Sequence, residues 1–246
     1  MIIVVLTLAL LIGVTLGLLG GGGSILTLPI LTYVAGVATK SAIASSLFVV
    51  AVTSAVGVVA HARAGRVRWR TGLLFGVAGM LGAFAGGRIA GHLPARGLML
   101  GFAAMMVVAS AAMLRGRRAT AATTVELAVG RVLLIGATVG LVVGTVGAGG
   151  GFIVVPALVL LGGLAMDRAV GTSLLVIAMQ SFAGFFGHLG HVAIDWPLTL
   201  AVTAMAVVGS FVGGSLAGRV PPAQLRRAFG VFVLLMAAIV VAKELG

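Results

Sequence analysis

Residues 17–29 read Gly17-Leu18-Leu19-Gly20-Gly21-Gly22-Gly23-Ser24-Ile25-Leu26-Thr27-Leu28-Pro29, and residues 144–156 read Gly144-Thr145-Val146-Gly147-Ala148-Gly149-Gly150-Gly151-Phe152-Ile153-Val154-Val155-Pro156. Each places a glycine run between an apolar stretch and a short apolar piece ending in proline. Glycine costs a helix about 1 kcal/mol per residue relative to alanine, so a helix entering either run ends there. The flanking sequence is otherwise fit for lipid. Irregular backbone at membrane depth survives only where protein or a wet cavity shelters it. Two such interruptions, one in each half of a chain, point to a transporter's binding site.

The composition agrees. The chain has 246 residues, of which 61% are hydrophobic and 8% charged, and its mean hydropathy is +1.29. Those values exclude a soluble globular domain and fit an all-α polytopic membrane protein. No segment alternates as the strands of a membrane barrel would. Met1 to Leu19 lacks a basic leading region, so it reads as a first membrane helix rather than a cleaved signal peptide. Without cysteine there are no disulfides, thiolate metal sites or iron–sulfur ligands, and neither metal nor cofactor is expected. The net charge of +12 comes from arginines in short loops and at helix ends. That is the pattern of cytoplasmic loops, not of a nucleic-acid surface.

Setting each residue against the one 127 positions later aligns 13–102 with 140–229 without a gap, and 28 of those 90 positions are identical. Chance in so glycine- and alanine-rich a chain supplies roughly a tenth, so the repeat is genuine. Rare residues coincide: Pro29/Pro156, His61/His188, Phe84/Phe211, Pro94/Pro221, and the only two tryptophans, Trp69 and Trp196. The chain therefore divides into repeats at 1–118 and 119–246, forming one integral membrane unit. Each is expected to hold four long helices plus a short glycine-flanked half-helix, near Ile25–Ala35 in the first and Phe152–Leu161 in the second. Those pieces fall short of the about 20 residues of a full span.

Arginine and lysine arbitrate orientation. If each short piece counts as a crossing, the halves are inverted. Twelve of the sixteen basic residues, from the Arg63–Arg70 loop to Arg226 and Arg227, then share one side, against Lys40, Arg88, Arg96 and Lys243. If it does not count, the split is nearly even. The skewed split obeys the positive-inside rule, so inverted repeats with both termini outside the cytoplasm are favoured. Glycines one turn apart, Gly82/Gly86, Gly87/Gly91, Gly209/Gly213 and Gly214/Gly218, predict close helix packing.

Several residues could carry chemistry. Half-helix starts at Gly23–Ile25 and Gly151–Phe152 would aim free N–H groups and partial positive charge at one point. That makes Gly20, Gly21, Gly22, Gly23, Ser24, Gly147, Gly149, Gly150 and Gly151 candidates for binding an anion, with tight helix crossing as the competing role. Ser45, Ser46, Thr172 and Ser173 fall in the first turns of long helices, where hydroxyls cap the helix or donate to an oxyanion. Thr53, Ser54, Gln180 and Ser181 lie two turns deeper. Gln180 is the most polar residue in any span, and a buried amide demands partners. His61 and His188 are repeat-matched titratable groups at helix ends, candidates for gating or proton linkage against interfacial anchoring. Arg88, matched by Ser215, is expected to snorkel outward. No acid falls inside a span, so a carboxylate proton relay is not expected.

The two glycine-to-proline blocks, Ala44-Ser45-Ser46-Leu47 with Gly171-Thr172-Ser173-Leu174, and His61…Gly65-x3-Trp69 with Gly187-His188…Ile194-Asp195-Trp196 carry a resemblance. In order and in duplicate, they resemble the TauE/SafE sulfite exporter family, also called TSUP, over nearly the whole chain. The copies differ at Arg68/Asp195 and Ser24/Gly151. The resemblance implies a membrane anion permease for sulfite, sulfonates or related small oxyanions, working as an exporter. A permease for another small anion, such as a carboxylate, and a non-transporting membrane scaffold are the alternatives. An intramembrane hydrolase using Ser24 and His61 is disfavoured, since the second copy lacks the serine and no acid orients the histidine. The expected partners are the lipid bilayer and a small anion.

Overall fold

A computed structural model describes residues 2–19, 23–114, 129–147, 150–160, 164, 166–216 and 222–245. Of the expected site residues, Gly20, Gly21, Gly22 and Gly149 lie outside the described residues. The described residues form helices and connecting turns, without strands. In chain order the helices are α1 (Ile2–Leu19), α2 (Ser24–Pro29), α3 (Thr39–Arg63), α4 (Trp69–Ala90), α5 (Ala95–Leu114), α6 (Val129–Val146), α7 (Gly151–Leu160), α8 (Met166–His188), α9 (Trp196–Leu216) and α10 (Pro222–Leu245). Both short pieces anticipated from the glycine runs are present, as α2 and α7. A π-helical turn, Ile30–Val34, extends α2 and closes with Ala35 N–H on Ile30 O at 2.9 Å. Proline lacks the N–H that an ordinary turn would use, and a widened turn accommodates it.

Among the described residues, four helices are long and apolar enough to cross a membrane: Thr39–Arg63, Trp69–Ala90, Arg168–His188 and Trp196–Leu216. Buried share separates them into two layers. The spans of α3 and α8 are 72% buried, those of α4 and α9 only 44% and 39%, so α3 and α8 are the inner pair. Leu81, Val108, Leu134, Phe211 and Leu235 turn outward on the flanking helices. In water such faces would be an aggregation hazard; against lipid they are the solvated side.

Partners are exchanged between the two sequence halves. The first helix of each half packs on the fourth of the other: α1 on α9, and α6 on α4. Glycine sets both seams. A side chain at Gly140 would run into the backbone of Gly79, and one at Gly82 into Ala137 and Leu141. Likewise Gly13 abuts the backbone of Ala206, and Gly209 that of Leu10 and Val14. These are the close crossings anticipated for Gly82/Gly86 and Gly209/Gly213. Gly214 is different: nothing stands within 4 Å of its would-be Cβ. In the seams the residue numbers rise together, so α4 and α6 run parallel, as do α1 and α9.

The inner pair runs the other way. Gly184 meets Leu47, Gly57 meets Leu174, and Gly171 meets His61. Numbers rise on α3 as they fall on α8, so the two are antiparallel, and their crossing is centred near Val52 and Met179. The outer pair α5 and α10 is tied by the Ser110 hydroxyl, which donates to Gly230 O at 2.6 Å.

Candidate functional site

The antiparallel α3–α8 crossing brings the polar positions Thr53 and Ser54 on one helix level with Gln180 and Ser181 on the other. All four are fully buried. Their surroundings are apolar, Val50, Leu174, Val176 and Ile177 among them. Thr53 satisfies itself on Val49 O at 2.7 Å. The Ser54 and Ser181 hydroxyls, and both amide atoms of Gln180, have no hydrogen-bond partner. Each such group costs about 1–3 kcal/mol if left so, which marks the level of the crossing as a place where a polar guest is favourable. An interhelical hydrogen bond, the competing role for Gln180, is not what this amide makes.

Gly79 on α4 gives Gln180 its room. A Cβ there would sit against the amide, with Cδ at 2.6 Å and Cγ at 2.8 Å. One turn earlier Gly76 does the same for Met179, whose sulfur would lie 2.5 Å from an added Cβ. Neither glycine was singled out from sequence, although Gly72 and Gly76 stand one turn apart; Gly79, three residues beyond Gly76, falls outside that spacing. Thr27 and Thr32 were also missed. Both hydroxyls are buried and unpartnered on α2 and the turn that follows it, and polarity in a short apolar helix was the available signal.

The hydroxyl blocks stand deeper than expected. α3 starts at Thr39 and α8 at Met166, so Ser45, Ser46, Thr172 and Ser173 lie in the second turn, beyond capping reach. Ala38 precedes α3 and makes no side-chain cap. The single Ser46 O–H instead has two carbonyl acceptors in reach, Ile43 O at 2.8 Å and Gly147 O at 2.7 Å, the latter tying α3 to the second glycine run. Ser45 accepts from Thr199 on α9 at 3.0 Å. Thr172 accepts from Arg68 N–H at 3.0 Å, and Ser173 donates to Val170 O at 2.8 Å.

Gly147 and Gly150 have φ of +72° and +63°, a left-handed backbone that glycine adopts without strain. Gly150 O receives Ile153 N–H at 3.0 Å and Val154 N–H at 2.9 Å, starting α7, with Gly151 buried beside it. Gly23 precedes α2 in an ordinary helical conformation, packed on Ile12, Thr15 and Leu16, and Ser24 is buried. Gly147 is wedged on Ile43. Ser46, its partner, stands five residues along α3 from the level of Gln180, about 8 Å at 1.5 Å per residue. The described part of the second glycine run and the Gln180 amide are thus neighbours in depth without touching.

His61 and His188 occupy opposite ends of the inner pair. Both are buried among neighbouring helices, 6% and 2% exposed. His61 is packed by Gly171 and Arg66; His188 Nδ1 bonds Gly184 O at 2.9 Å and lies against Gly87. Arg88 is exposed, as expected.

Residues 5–240 match the protein family described as Sulfite exporter TauE/SafE. The chain belongs to this family. Among TauE/SafE relatives it is 34% identical over 238 residues to a probable membrane transporter protein of Xylella fastidiosa (strain Temecula1 / ATCC 700964), covering 94% of this chain and 91% of the relative. It is 26% identical to the probable membrane transporter protein YdhB of Bacillus subtilis (strain 168), over 89% and 91% of the two chains. A probable membrane transporter protein of Methanocaldococcus jannaschii is 25% identical, over 91% of each. No solved structure matches the chain significantly. Membership of TauE/SafE agrees with the four apolar, membrane-length helices and with the resemblance carried by the duplicated motifs.

Proposed function

We propose that the protein is a multi-pass permease of the cytoplasmic membrane that exports a small oxyanion, sulfite or an organosulfonate, by alternating access between two inverted halves. The observation that carries this reading is the set of buried, unpartnered polar atoms at the centre of the α3–α8 crossing. A scaffold gains nothing from such groups, whereas a pathway needs them where cargo sheds its water. Inversion is supported by the direction of α3 and α8, which are repeat-related and antiparallel, and by the mutual exchange of α1 and α6.

The arginine-bearing ends of α3 and α8 face the cytoplasm on this reading, by the positive-inside rule. Rocking of one half against the other would open the pathway alternately past His61 and past His188. The glycine runs would contribute bare backbone N–H groups to the anion's route, with Gly147 and Gly150 supplying the turn. The test is counterflow of labelled sulfite in proteoliposomes, run against a panel of sulfate, thiosulfate, sulfonates and small carboxylates. Saturable sulfite or sulfonate exchange is expected. Carboxylate exchange alone would replace the cargo, and silence across the panel would favour a scaffold.

A further inference from the structure

The Gln180 amide is fully buried, unpartnered at both Nε2 and Oε1, and housed by the bare Cα of Gly79. Titratable positions on the surrounding helices fall well along the chain from its level. On α8 these are Asp167, Arg168 and His188; on α3 Lys40, His61 and Arg63; on α4 Arg70 and Arg88; on α6 Arg131; α7 has none. By the residue pairing of these helices, each stands eight or more residues from the level of Gln180, about 12 Å at 1.5 Å per residue. Among the described residues, the level of the crossing therefore offers hydroxyls and one amide, and no cation. Two negative charges on a cargo would meet nothing to neutralise them there, and desolvating them is costly.

A carboxamide also presents a donor and an acceptor side by side, whichever way it is turned. An anion with no hydrogen to give leaves Oε1 unpaired and facing negative oxygen. An oxyanion that keeps one acidic O–H satisfies both edges: its charged oxygen accepts from Nε2, and its O–H donates to Oε1. Sites built to pair a ligand's O–H reject analogues lacking it far more strongly than apolar pockets reject a methylene. We propose that Gln180 is the cargo-selecting residue of this permease and that it takes the singly charged, proton-bearing form of an oxyanion. Resting on the permease reading above, this narrows the cargo within it.

The test uses the whole 246-residue chain in proteoliposomes with two probes. Sulfite passes from hydrogen sulfite to the dianion between about pH 6 and about pH 9, while methanesulfonate stays a monoanion without an O–H. At fixed total sulfite, initial uptake divided by methanesulfonate uptake should fall toward about tenfold per pH unit once the dianion dominates. The ratio cancels titration of the protein. Gln180→Met, similar in length and unable to pair with an O–H, should cut the sulfite preference at low pH at least about tenfold. Gly214→Ala, which touches nothing, should leave that preference unchanged. A sulfite-to-methanesulfonate ratio that is flat or rising with pH overturns the proposal, and that measurement needs no variant. So does an unaltered preference in folded Gln180→Met. Absence of flux for both probes and every anion of the wider panel sinks the permease reading and this inference together; flux that follows the dianion sinks this inference alone.

Discussion

The α4–α8 face and the α9–α3 face occupy positions 127 residues apart in the two sequence halves, yet they are packed by opposite means. On α4 the contact residues are Gly72, Gly76 and Gly79; their counterparts on α9 are Thr199, Thr203 and Ala206. Across from the glycines α8 carries Thr172, Met179 and Gln180, where α3 has the counterparts Ser45, Val52 and Thr53. Volume removed from α4 reappears on α8. The exchange replaces a side-chain hydrogen bond, Thr199 to Ser45, with a close backbone approach at Gly72, where an added Cβ would lie 3.1 Å from Thr172 Cγ2. The two sequence halves thus hold a long amide on α8 and a short hydroxyl on α3, about 3 Å apart in depth at 1.5 Å per residue. Asymmetry of the polar centre has been bought with glycine, not with a change of fold.

The seams shared by both halves set the upper bound on what can be tolerated. Gly140→Leu forces a side chain into the Gly79 backbone and should destabilise the protein by about 3 kcal/mol or more, seen as loss of folded material on thermal unfolding in detergent. Retention of wild-type stability would mean that the α4–α6 seam is not as close as described. Next comes the exchange itself. Gly76→Thr installs the α9 residue opposite Met179 and should cost about 1–3 kcal/mol. Adding Met179→Val, the α3 residue, should restore much of that, giving a coupling of about 0.5–3 kcal/mol in a double-mutant cycle. Strict additivity would show that the two faces are not volume-matched.

Thr199→Val removes the hydroxyl that reaches Ser45 and should cost about 1 kcal/mol, with no comparable loss available at Gly72. Gly214→Ala should be neutral or stabilise by up to about 1 kcal/mol, since a helical glycine with open space around it gains only from a stiffer unfolded chain. A clear loss there would place an unrecognised neighbour on that face.

Much of the architecture was legible because breaking a helix leaves compositional marks. The glycine runs gave α2 and α7. The exchange of α1 and α6 was not legible. A Gly-x3-Gly stripe says that some backbone comes close, and says nothing about which one. Gln180 stood out as an amide in apolar sequence, but Gly79, which houses it, looked like any other glycine among 39. Ser45 and Thr172 were expected in the first turns of their helices, whereas α3 begins at Thr39 and α8 at Met166. Tertiary packing carries the helices back to those residues. The depth of His61 and His188 depends on neighbours hundreds of atoms away in sequence, such as Gly171 and Gly87, so their burial could not be anticipated from position alone.

The crossed partnership of α1 with α9 has a temporal side. A ribosome delivers residues in order, so the first helix enters the bilayer long before residues 196–216 exist to receive it, and its glycine-lined flank must wait in lipid or beside a provisional companion. A fragment ending before α9 would leave that flank permanently unmatched, even though every residue of the first repeat were in place.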